Sequence, residues 1–193
     1  MSERLPGVAI VETVTTTINP DGTVNCAAMG VEWGDETIVI KPYRSTRTLR
    51  NLWATGAAAV NLTDDILLFT QAALGDPHPP TRPTEKIDGA VLADACSWRE
   101  VRVAAIDASG PRARVSTRVV GRGTGREFLG FNRARHAVLE ASIIASRARW
   151  LPPAEIRAEL ERLQVLVDKT AGPREREAWE LVRRHVRAAA EGG

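Results

Sequence analysis

The stretch KPYRSTRTLRNL, Lys41 to Leu52, gathers three arginines, a serine and two threonines. Leu49, Leu52 and Trp53 recur at i, i+3 and i+4, which predicts a helix over Thr46 to Thr55 with Gly56 as its stop. A helix start that carries Thr46 and Thr48, preceded by Arg44 and Ser45, brings free backbone N–H groups, a positive dipole end, hydroxyls and guanidinium forks together. That is the outline of a phosphate site, because a planar guanidinium can hold two phosphate oxygens at once. An N-capped surface helix with solvated arginines is the plain alternative on these residues alone.

A second candidate lies in TTTINPDGTVNCAAMG. Asn25, Ala27 and Met29 fall on one face of a strand by period-2 alternation, so one amide is set among small or soft side chains. A flat heterocycle can approach such a surface, with Asn25 and strand-edge amides donating to ring carbonyls. Alanine and methionine in a strand are equally ordinary core residues. Asn61, an amide within the apolar strand AAAVNLT, needs a specific partner, which a purely structural role would also supply.

Other chemistries find no support. His78, His136 and His185 lack the spacing of metal ligands, so no metal site is expected. There is no G-x-S-x-G elbow and no P-loop. The glycines of GRGTGRE imitate a dinucleotide fingerprint, but no apolar parallel strand precedes them. No catalytic acid, base or nucleophile is assigned.

The elements that must position these residues change character along the chain. Asn19-Pro20-Asp21-Gly22 separates two β-branched runs, about Gly7 to Ile18 and Thr23 to Trp33, and predicts a hairpin. The run ETIVIKP predicts a third strand ending at Pro42, and a short strand follows in AAAVNLT. Asp64-Asp65 caps a helix through ILLFTQAAL to Gly75. The segment GDPHPPTRP, with four prolines in nine residues, reads as loop. Trp98 to Asp107 and Arg112 to Val120 predict a further hairpin, with GRGTGRE as a flexible exit. From Asn132 onward apolar residues recur at helical spacing, and Pro152-Pro153 and Gly172-Pro173 open two more helices. The expected organisation is α+β: a β-rich part over residues 1–130 and a three-helix segment over residues 131–193.

The chain has 193 residues, 44% hydrophobic and 26% charged, with a formal net charge of +2. That balance suits a globular protein and suggests no nucleic-acid partner. Cys26 and Cys96 read as buried thiols of a reducing compartment. No apolar run reaches the ~20 residues of a membrane span, and MSERLPG is unlike a secretory signal, so a cytoplasmic protein without membrane partners is expected.

Taken together, TTTINPDGTVNCAAMG, KPYRSTRTLRNL, TGAAAVNL and FNRARHAVLEASIIASR resemble the flavin reductase-like FMN-binding split-barrel family. The likeness is to an uncharacterised, archaeal-type subfamily with a helical C-terminal extension, and it spans about Val8 to Ala190. It implies an FMN-binding split β-barrel. Asp21-Gly22, Asn25 and Ala27 to Gly30 match the hairpin that lies along the isoalloxazine ring, Met29 among them, and Thr15 and Thr16 stand on its other strand. Thr48 and Asn51 match the family's T-x-x-N helix start, which with Tyr43, Arg44, Ser45 and Thr46 supplies the phosphate end. Thr55, Gly56, Val60 and Asn61 match its T-G-x-x-x-V-N strand. Phe131, Asn132, Arg133 and Ala134 match F-N-R-A, expected near the site from the same chain or a partner subunit. Arg133 is the candidate for stabilising reduced flavin, with phosphate binding or a carboxylate partner as alternatives. Ala28 departs from many members of the subfamily, which carry proline there.

The resemblance further implies a homodimeric FMN-dependent oxidoreductase acting on a small molecule, with NADH or NADPH as reductant. Three alternatives stay open: a non-enzymatic FMN carrier or sensor, a pterin-linked reductase, and an enzyme like pyridoxamine-phosphate oxidase. The last needs a second phosphate site, for which Arg114 and Arg118 are the candidates.

Overall fold

The computed structural model describes residues 8–191. Gly7, the expected start of the first strand, lies outside the described residues, as do the last two of the chain. β1 (Ala9–Ile18) and β2 (Val24–Trp33) form the expected hairpin, with Gly22 at φ 84° in its turn. β3 (Thr37–Ile40) follows, then α1 (Arg47–Thr55) and β4 (Ala57–Leu62). After α2 (Ile66–Leu74) come β5 (Thr81–Pro83), β6 (Ala90–Leu92), β7 (Ser97–Asp107) and β8 (Arg114–Thr124). The chain ends in α3 (Arg133–Ala145), α4 (Pro153–Thr170) and α5 (Pro173–Glu191).

Six strands close an antiparallel barrel in the order β1-β2-β3-β8-β7-β4, so the fold is α+β as expected. Alternation sets its inner face: Val31, Ile38, Ile40, Val60, Val101 and Val115 are buried in one cluster with Leu49 and Leu52 of α1. The latter two belong to the apolar face read from the sequence, whereas Trp53, its third member, is 59% exposed. Gly56, at φ 65°, ends that helix in the left-handed conformation that glycine adopts without a Cβ penalty.

Contacts divide the chain into two units. The barrel unit runs to Thr63 and resumes over His78–Glu127; the helical unit joins Asp64–Pro77 to the residues from Phe128 onward. α2, which precedes β5 in the chain, therefore packs with α3 and α5, and the Thr70 and Ser142 hydroxyls meet at 2.9 Å. Asp65 caps α2 and also pairs with Arg174 of α5, while Arg135 of α3 bridges Asp64 and Glu175. Among the described residues, no helix is long and apolar enough to cross a membrane.

Two local expectations are corrected. Thr81–Pro83, at the end of the proline-rich loop, pairs with β6 in a two-stranded ribbon; Pro83 ends its strand and removes little from so short a ladder. GRGTGRE is no flexible exit, because β8 continues to Thr124. A Cβ on Gly123 would lie 1.9 Å from the Trp98 ring, and one on Gly125 would lie 2.1 Å from the Ala95 carbonyl oxygen. The glycines that imitate a nucleotide loop are packing glycines. Gly123→Ala should lower stability by about 1–3 kcal/mol through overpacking against Trp98. Urea unfolding of the full chain measures this, and an unchanged midpoint would refute the packing role.

Candidate functional site

β2 pairs with β1 along its whole length, from Ala9–Trp33 to Ile18–Val24. On its other side it meets β3 at only two rungs, Glu32–Val39 and Trp33–Ile38. Among the described residues, positions 24–31 of β2 have no strand neighbour on that side. The chain itself explains the gap: after β3 it follows β8, with Ala113 N–H donating to the Pro42 carbonyl at 3.0 Å and a bridge from Tyr43 to Arg112. It then turns into α1. The barrel is thus split beside β2, and the split leaves backbone N–H and C=O groups of positions 24–31 without a strand partner on that side.

α1 is fixed at one end of this split by a buried knot of amides and hydroxyls. Asn25 Nδ2 donates to Thr17 Oγ1 at 3.1 Å and to Thr48 Oγ1 at 3.2 Å. Asn51 Nδ2 donates to Thr17 Oγ1 at 3.0 Å and to Asn19 Oδ1 at 2.8 Å. Asn25, Thr48 and Asn51 are buried, so the side chains read as ligand contacts bind the helix to the hairpin. Asn25→Ala should reduce stability by about 1–2 kcal/mol, since it takes from the buried Thr48 hydroxyl its amide donor and from Thr17 one of its two. A denaturant midpoint unchanged in this variant would remove the knot's structural role.

What α1 presents outward is different. Thr46 is its N-cap, accepting from Leu49 N–H at 3.4 Å and donating to the Tyr43 carbonyl at 2.8 Å. Around that cap Tyr43, Arg44, Ser45, Arg47 and Arg50 are exposed, and no acidic residue stands in the first turn. Arg112, which the sequence marks only as the start of a strand and not as a site residue, joins them. Its guanidinium lies 4.1 Å over the Tyr43 ring and donates to the phenol oxygen at 2.6 Å. Only the β8 register brings a residue from the 107–114 turn here, so no local signal could have marked it.

Where β2 and β3 still pair, Glu32 is buried and chelated by Arg114 at 3.0 and 2.7 Å, with Lys41 as a second ion pair. Hydrogen bonds from Arg114, and then Lys41, outweigh burial and hold its carboxyl below the ordinary 4.5. A depressed folded value means stabilisation that is present above 4.5 and lost as pH falls through the lowered value. Glu32→Gln should therefore lower stability at pH 7 by about 3 kcal/mol and flatten the loss on acidification. Urea titrations at neutral and acid pH test both, and a variant with the parent's acid slope would contradict the assignment.

Two profiles of the family described as protein of unknown function (DUF447) match this chain, the N-terminal domain over residues 11–126 and a second over residues 132–184. The chain belongs to the DUF447 family. An FMN-bound DUF447 protein of Methanosarcina mazei is similar in structure, with TM-score 0.80 and 20% identity over 92% of this chain and 95% of that one. The styrene monooxygenase flavin reductase of Pseudomonas putida S12 has TM-score 0.51 and 18% identity over 61% of this chain and 80% of that one. An FMN-binding protein of Thermus thermophilus with bound 1-cyclohex-2-enone has TM-score 0.50 and 14% identity, over 64% and 78%. These likenesses establish the split-barrel fold.

The remaining candidates of this DUF447 chain divide between the two faces of the barrel and the helical unit. Ala27, Met29 and Thr15 share the inner face, because Ala27 stands opposite Thr15 and Met29 packs on the core. Thr16 and Asn61 lie on the other face and dock β6: Thr16 Oγ1 donates to the Ala90 carbonyl at 2.6 Å, and Asn61 Oδ1 accepts from Leu92 N–H at 3.0 Å. Both are fully engaged structural residues. Gly30 lets Glu12 and Ile10 close over β2, since a Cβ there would meet each at 2.8 Å. Asn132 caps α3 and donates to the Thr170 carbonyl at 3.2 Å; Arg133 beside it is exposed.

Proposed function

We propose that this chain binds FMN, with the ring along the open edge of β2 and the phosphate at the start of α1, and acts as an FMN-dependent oxidoreductase. The observation that carries the reading is the juxtaposition of an unpaired strand edge with an acid-free helix start surrounded by Arg44, Ser45, Arg47 and Arg112. These residues fit the group. A monoester phosphate is met by guanidinium forks, a hydroxyl and the helix dipole, and ring carbonyls and N–H groups are met by backbone amides of β2.

FMN, when bound, supplies hydride chemistry, with NADH or NADPH as the reductant and a small molecule as the second substrate. The chain's own residues bind and orient. The reading resembling pyridoxamine-phosphate oxidase is less well supported, because Arg114, one of its two candidate phosphate ligands, is chelated to Glu32.

A homodimer belongs to the same proposal. A second copy across the split would cover the β2 edge that is otherwise an open template for pairing.

Three measurements test these points. Arg44→Ala with Ser45→Ala should weaken FMN roughly tenfold or more and leave riboflavin unchanged, because only FMN carries the charge. Equal losses for the two ligands would overturn the phosphate assignment. Anaerobic addition of NADPH or NADH to the FMN-loaded protein should bleach the visible flavin band, whereas an indifferent spectrum with both would point to a carrier. Dilution through the dimer–monomer transition should release flavin, and a monomer that keeps it would refute an inter-subunit site.

A further inference from the structure

The helical unit contains a cavity that the flavin site leaves unused. α4 and α5 form a hairpin about Ala171 and Gly172, and near the turn Trp179 Nε1 donates to Gln164 Oε1 at 2.6 Å. Away from the turn a cavity of about 590 Å³ opens between them. Its floor is Ile156 and Leu160 of α4 with Trp179 and Val186 of α5. Ala189 and Ala190, whose side chains are small, also line the cavity.

The rim is cationic. Arg157, Arg183 and Arg187 line the cavity together with one carboxylate, Glu161. Arg183 is paired with Glu180 at 3.2 Å, whereas Arg157 and Arg187 make no ion pair with a described residue. An apolar floor within the usual size of a small-molecule site, bordered by two uncompensated guanidinium groups, matches a molecule with an apolar body and one anionic end.

We propose that this cavity binds an amphipathic carboxylate of the fatty-acid class. The aliphatic body lies on Ile156, Leu160, Trp179 and Val186. The carboxylate is held at the rim by Arg157 and Arg187. The site is independent of FMN.

Calorimetric titration of the full chain with decanoate, decanol and decylammonium tests this. Decanoate should bind saturably and at least roughly tenfold tighter than decanol, with decylammonium weakest. Arg157→Gln with Arg187→Gln, both surface changes, should bring decanoate down to the level of decanol and leave decanol unaltered. Ala189→Leu should fill the cavity and abolish both. Equal binding of decanoate and decanol, or decanoate binding indifferent to the arginine pair, would overturn the proposal. So would concentration-dependent self-association lost in Ala189→Leu without any decanoate binding, which would give the cavity to a second copy of the chain.

Discussion

The buried carboxylate of Glu32 is the constraint from which the barrel unit follows. Taking a carboxylate out of water costs several kcal/mol unless cations and hydrogen bonds replace the lost solvation. Here one cation comes from β8 and the other from the residue that follows β3. The pairing therefore draws three segments to the point where β2 and β3 share their two rungs. Below that point the strands can part without opening the barrel. A split barrel needs such a rivet, because a ladder of two rungs has little stability of its own.

At the other end of the split the ladder is replaced by side chains. Thr17 accepts from both Asn25 and Asn51, and Thr48 from Asn25, so the helix and the hairpin exchange side-chain hydrogen bonds where strands would exchange backbone ones. Such a knot is stable only when every member is satisfied, and none of the buried side-chain polar atoms among the described residues lacks a partner. The knot orients α1 so that its cap and arginines face outward while Leu49 and Leu52 close the barrel core. The anion-seeking surface and the hydrophobic seal are two faces of one nine-residue helix.

In the helical unit, charge does the equivalent work. Arg135 reaches Asp64 before α2 and Glu175 at the start of α5, tying segments far apart in sequence. Burial pushes the Glu175 carboxyl up, but hydrogen bonds from Arg135 and from backbone N–H groups hold it below its ordinary value. The alanines at positions 134, 137, 141 and 145 of α3 are buried and let neighbouring helices approach closely.

How far the sequence could be read depends on the range of the interactions involved. The hairpin, the cap at Asp65, the helix starts near Thr46 and Asn132, the stop at Gly56 and the change from strand to helix rest on residues within a few positions of each other. They were legible for that reason, and so was the family likeness that they compose. The β5–β6 ribbon, the continuation of β8 through its glycines and the arrival of Arg112 beside Tyr43 depend on partners far away in the chain, and no local pattern encodes them. The same holds for the candidate site. Residue types and the family likeness marked Asn25, Thr48 and Asn51 as ligand contacts and Asn61 as an amide in need of a partner, but only the tertiary structure decided that they bond to neighbouring hydroxyls, amides and backbone groups, because hydrogen bonds are satisfied in space and not along the chain. The sequence by itself determined the elements and the chemistry available; the closing of the barrel determined which of that chemistry faces a ligand.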